Sequence, residues 1–173
     1  MKKKAGKSGK QTRGDRDAEL RKHLVDLLKG GGAHVHFCDA IDGFPARKRG
    51  AFAMGLPHTG WQLLEHARLA QNDIVEFCGN PKHVSQEFPE GYWPKSPVPP
   101  SDAAWKHSWD AFENDLQRMI RLVRNPKTDL LAKIPHGSGQ TLLREALVLA
   151  DHNSYHLGQL VLLRRALGAW PEA

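Results

Sequence analysis

The chain has 173 residues, with 25 Lys/Arg against 19 Asp/Glu, ten histidines and two cysteines. That length predicts one domain with a real core, and no run of eighteen apolar residues predicts a membrane span. The whole formal charge of +6 sits in residues 1–16, which hold seven Lys/Arg and one acid, so the rest is neutral and a nucleic-acid partner is not expected.

Residues 1–16 form a Gly/Ser/Lys-rich segment without apolar content, which predicts a disordered basic tail ahead of a domain spanning 17–173. The first ten residues lack the apolar stretch of a secretory signal. Cys38 and Cys78 are too few and too isolated for a disulfide framework and form no Cys-x-x-Cys pair, so a reducing cytoplasm is the expected compartment.

Four helical segments follow in chain order. The first runs from about residue 17 to 29, with Leu20, Leu24, Leu27 and Leu28 on one face and Gly30-Gly31-Gly32 ending it. The link over 33–56 is irregular, with a short helix expected around 38–42 and a short extended piece at 34–37. The second helix opens at Pro57-His58-Thr59-Gly60-Trp61-Gln62, where Thr59 and Gln62 fit a capping box, and stops at Gly79-Asn80-Pro81. Residues 81–100 hold six prolines and exclude regular structure. The third helix follows Ser101, carries Trp105, Phe112, Leu116, Met119 and Val123, and breaks at Asn125-Pro126. The fourth starts near Thr141 and closes at Gly168. Four amphipathic helices joined by long links predict an all-α four-helix bundle with crossover connections.

The fourth helix is the informative one. Its seam reads Leu142, Leu149, His152, His156, Leu160, Leu163, Leu167, so two histidines occupy core positions. A polar ring in a helix seam is costly unless something binds its nitrogens, and a metal ion does so. The second helix supplies a third ring on its own seam of Leu63, His66, Ala70, Ile74 and Phe77. Three imidazoles leave at least one coordination position open, the pattern of catalytic metal sites. A metalloprotease motif is absent, because Asn153 stands where its glutamate belongs. Core histidines that merely hydrogen-bond their neighbours are the alternative.

The segments from Pro57 to Arg68, Thr141 to Glu145 and Asp151-His152-Asn153-Ser154-Tyr155-His156-Leu157-Gly158-Gln159, with Leu163-Arg164-Arg165 and Leu167-Gly168-Ala169-Trp170, resemble the DinB-like family of metalloenzymes. The Gly91-Tyr92-Trp93-Pro94 loop resembles one branch of it. The resemblance covers about residues 18–170. It implies a DinB/YfiT-type bundle holding a divalent ion, zinc or nickel, on His66, His152 and His156. It also implies a small-molecule substrate, a homodimer and a low-molecular-weight thiol as co-reactant in transfer to a small electrophile. A metal-dependent hydrolase and a non-catalytic stress-response module are the alternatives.

Further residues are candidates for the pocket wall. Asp73 and Glu145 each share a face with a histidine at ~10 Å along the axis, too far to bind the same ion directly. His58 begins the second helix and fits a cap or the pocket mouth. Tyr92 and Trp93 fit either a cover over the site or packing on the helices. Gly158 fits close approach of a neighbouring helix. His34 and His36 lie on the first link. His23, His83, His107 and His136 read as surface residues, and Asp151 as a surface or interhelical partner.

Overall fold

The computed structural model describes residues 12–171 apart from Met54. Helix α1 spans Arg13–Lys29, α2 Phe37–Ile41, α3 Gly60–Gly79, α4 Asp102–Arg124 and α5 Leu142–Ala166. Among the described residues there is no strand, only an isolated bridge between Lys133 and Thr141. Residues 34–36 of the expected extended piece are irregular, and Phe37 opens the short helix α2.

Side chains that satisfy free backbone N–H groups set the helix starts. Thr59 Oγ1 accepts from Gln62 N at 3.2 Å, and Gln62 Oε1 accepts from Thr59 N at 3.1 Å, the reciprocal pair the sequence predicts for α3. Ser101 and Thr141 cap α4 and α5 in the same sense, each accepting from the third residue on. Helix α1 departs from expectation. It starts four residues early, because Thr12 and Asp15 form a capping box of their own, so residues 13–16 are helix rather than tail. Residues 1–11 of the expected tail lie outside the described residues.

Helix α3 packs against α4 and α5, α1 packs against the same two, and α2 lies on α5. At the start of α3, Gly60 lets Phe44 approach closely: a Cβ there would lie 2.8 Å from the Phe44 ring. Two apolar clusters form. One contains Phe44, Trp61, Leu64, Trp105, Phe112, Leu157 and Leu160. The other contains Leu24, Val75, Met119, Val123, Leu142 and Leu149. Each fully buried aliphatic or aromatic side chain contributes about 2 kcal/mol, so these clusters hold the helices together.

Between them in sequence lies a run of buried polar side chains: His66 and Gln71 on α3, Asp115 on α4, Asn153 and His156 on α5. The folded frame carries this polar layer at its centre. Its two histidines, with His152 beside them, form the candidate site.

Candidate metal centre

His66 stands in the second turn of α3, fixed by the Thr59 cap, and is 6% exposed. His152 and His156 occupy successive turns of α5, His152 half-buried and His156 5% exposed. The three Nε2 atoms converge. His66 Nε2 lies 3.1 Å from His156 Nε2 and 3.2 Å from His152 Nε2. One ligand atom from each ring lies within 4.8 Å of the others.

Groups behind the rings decide their tautomers. His66 Nδ1–H donates to the Tyr92 carbonyl at 2.8 Å; a carbonyl only accepts, so the proton of the neutral ring sits on Nδ1. His156 Nδ1–H donates to Gln159 Oε1 at 2.7 Å. The Nε2 atoms of both rings then present lone pairs inward, 3.1 Å apart. Such an arrangement needs a cation, or a proton, between them.

A proton is disfavoured. Burial pushes His152 and His156 down to about 4, the neighbouring imidazoles adding to the effect. His66 is lowered too, by burial first and against the Tyr92 carbonyl. Near pH 7 the three rings are neutral donors of the kind that divalent ions take. Nitrogens ~2.0–2.1 Å from one ion would stand about 3.3 Å apart in tetrahedral and about 3.0 Å apart in octahedral geometry, and the observed spacings fall between. The residues fit a metal.

A strap from the proline-rich link closes one flank. Trp93 lies between two imidazoles, 3.8 Å from His66 with ring planes 3° apart and 4.0 Å from His58 with planes 19° apart. Tyr92 and Trp93 thus act on His66 together: the Tyr92 backbone orients the ring and the Trp93 indole stacks on its face. His58 is half-buried, and burial lowers its pKa. It also borders a cavity of about 30 Å³ shared with Leu63 and Gln159, room for about one water.

The two carboxylates of the sequence analysis are engaged elsewhere. Asp73 accepts from His83 Nε2 at 2.6 Å. It also lies beside the Tyr92 hydroxyl, which burial, with Asp73's help, pushes above the usual tyrosine range. Asp73 therefore ties the strap to α3, and His83 is a half-buried partner rather than a surface residue. Glu145 is buried, pairs with Arg144, and lies near the half-buried Cys78, whose thiol burial pushes up to about 12.

Gly158 does not bring a helix close. It is exposed, with open space where a Cβ would stand, because it shares the solvent face of α5 with Asp151, Tyr155 and Leu162. His34 and His36 stay away from the centre: His34 Nε2 meets Ser154 Oγ at 3.3 Å and His36 Nδ1 meets the Lys29 carbonyl at 3.2 Å. With Cys38 they border a cavity of about 280 Å³ among α1, α2, α4 and α5. His23, His107 and His136 are exposed, as expected.

Sequence reasoning missed Gln159 and Gln71. Gln159 follows His156 by three residues, a spacing that places both on one helix face. Gln71 is a fully buried polar residue, and its signal was a polar side chain at the inner face of α3. Comparison of the chain with family models, with curated proteins and with solved structures found no match to any of them.

Proposed function

We propose that this protein is a metal-dependent enzyme of the DinB-like family, its four long helices forming a bundle of that type. His66, His152 and His156 hold a divalent ion, zinc or nickel. One observation carries the reading: His66 Nε2 lies 3.1 Å from that of His156 and 3.2 Å from that of His152, with the protons of His66 and His156 directed outward to carbonyl oxygens. A bound ion supplies a Lewis acid with at least one position free for a small molecule. Around it, Tyr92 and Gln159 hold two rings in the binding tautomer, while Trp93 and His58 shape the flank.

The reaction we assign is addition of a low-molecular-weight thiol to a small electrophile, with hydrolysis as the alternative. The homodimer implied by the resemblance has support in Val148, Tyr155 and Leu162, a stripe of exposed apolar residues at heptad spacing along α5. Metal analysis of purified wild type beside His152→Ala tests the foundation. Wild type should carry close to one ion per chain and the variant far less; equal metal in both sinks the reading.

A second reading, a non-catalytic module whose ion pins α3 to α5, is favoured by the near-complete burial of His66 and His156. It expects a large drop in melting temperature on chelation and no exchangeable ligand on the metal. Enzymatic function instead expects small anions such as azide to perturb the spectrum of the cobalt-loaded protein.

A further inference from the structure

Three side chains along one face of α3 and its cap, Thr59, His66 and Asp73, tie down the proline-rich link at intervals of seven residues. Thr59 Oγ1–H donates to the Pro97 carbonyl at 2.6 Å, and His66 Nδ1–H to the Tyr92 carbonyl at 2.8 Å. Asp73 accepts from His83 Nε2–H at 2.6 Å. Seven residues are close to two helical turns, so the ties follow one another at ~10 Å along the axis. The link therefore runs antiparallel to α3, and its middle tie is made by a candidate metal ligand.

Hydrogen bonds rather than burial hold the part of the link next to that ligand. Residues 84–90 are all exposed, Val84 at 84% and Phe88 at 78%. The segment is nevertheless compact. Gly91 N–H donates to the Glu87 carbonyl at 2.7 Å and Tyr92 N–H to the Pro89 carbonyl at 3.1 Å. A Cβ on Gly91 would lie 2.6 Å from that of Gln86, so the missing side chain lets the loop close this tightly. A loop drawn in on itself and tied at His83 carries Tyr92 to a fixed place at its other end. There its carbonyl meets His66 Nδ1–H, and Trp93 lies on the ring face. The Asp73 and His83 side chains are each 16% exposed, so water competes weakly for their pair.

We infer that Asp73 is a positioning residue for His66, acting through His83 and the loop of residues 83–92: it holds the Tyr92 carbonyl where that oxygen fixes the Nδ1–H tautomer and turns Nε2 inward. Its effect on metal rests on the metal reading above. Asp73 stands two turns from His66 and acts along the link rather than across space. The coupling is reciprocal: a latched link favours the metal-binding ring, and an ion that holds His66 favours the latched link.

The test compares full-length wild type, Asp73→Ala, His83→Ala, their double variant and Asp73→Asn, each stripped of metal. Zinc, titrated in competition with a chromogenic chelator, should bind either alanine variant about 3–10-fold more weakly than wild type, below the ~10–100-fold commonly lost with a ligand's own hydrogen-bond partner. The double variant should be little weaker than either single one, because both residues make one tie. Asp73→Asn keeps an acceptor for His83 Nε2–H and should stay close to wild type. Long-range proton–nitrogen spectra of the metal-free chains supply a readout that a merely structural role would not move: His66 should be the Nδ1–H tautomer in wild type and a mixture in Asp73→Ala. Trypsin should cut at Lys82 and Lys95, on either side of the loop, faster in Asp73→Ala at unchanged helicity. An unchanged His66 tautomer in Asp73→Ala overturns the inference, as does equal zinc affinity or an asparagine variant as weak as the alanine one. Wild type that takes up no zinc overturns the metal reading instead, and the His66 spectrum of the metal-free chain still judges the latch.

Discussion

The protein buries two polar centres on α5, little more than two turns apart, and they are built in opposite ways. At Arg164, 1% exposed, the guanidinium donates to the carbonyls of Asp39 and Asp42 at 2.9 and 3.0 Å and to that of Ala169 at 2.9 and 3.2 Å. The rings of Phe44 and Trp170 flank it. Donors meet acceptors, and the centre is closed. At His66 and His156, acceptors meet acceptors: the protons point away to the Tyr92 carbonyl and to Gln159 Oε1, and the two Nε2 lone pairs converge. A buried polar group that is fully paired is structural, and one whose partners share its polarity is waiting for a ligand.

Removing the closed centre should give the largest effect on stability. Arg164→Leu leaves the half-buried Ala169 carbonyl and the carbonyls of the exposed Asp39 and Asp42 without their donor, so a loss of about 2–3 kcal/mol is expected in urea unfolding. Zinc affinity of the variant, measured where it is folded, should not change. His152→Ala should behave the other way, losing metal with little change in the stability of the metal-free chain. If Arg164→Leu weakens zinc binding as much as it weakens the fold, the two centres are not independent.

Acid should also separate them. His152 and His156 have a folded pKa of about 4 against an ordinary 6.5. A depressed pKa means that the unfolded chain takes up the protons first. The stability these rings contribute as neutral groups is therefore complete above pH 6.5 and is lost as pH falls toward 4. The metal-free protein should melt progressively lower across that window, and a His152→Ala, His156→Ala double variant should show a shallower slope. Zinc holds the rings neutral, so the loaded protein should hold its melting temperature to a lower pH. An identical slope for wild type and the double variant would remove the titration from the centre.

Much of this was legible in the chain. The Thr59–Gln62 box, the Ser101 and Thr141 caps and the seam positions of His66, His152 and His156 follow from short-range chemistry and helical period, and the folded chain places them accordingly. Periodicity names a face but not what lies across from it. Asp73 shares a face with His66, yet its partner, His83, comes from a loop ten residues on. Gly158 looked inward by composition, but α5 turns it to solvent. Nothing in the sequence sets Arg164 and Arg21 apart from the exposed basic residues, yet both are buried, Arg21 reaching the carbonyls of Val123 and Asn125 at the end of α4. A proline-rich link has no period at all, and so the stacking of Trp93 could not be read.

That stack gives the smallest expected effect, and it sharpens the contrast between an open and a closed centre. Trp93 covers one face of His66 while the neighbouring Tyr92 carbonyl fixes its tautomer. The two contacts come from adjacent residues but only one is a side chain, so substitution can separate them. Trp93→Ala removes a stacked pair worth ~0.5–1.5 kcal/mol and leaves the backbone carbonyl available. The metal-free protein should lose about 1 kcal/mol. Zinc affinity should fall only a few-fold, whereas release to excess chelator in a stopped-flow experiment should quicken by a larger factor, because the indole shields the ligand ring from water. Trp93→Phe restores a ring face and should recover most of the slow release. Equal release rates in all three proteins would mean that the strap only packs, and that access to the centre is set by α3 and α5 alone.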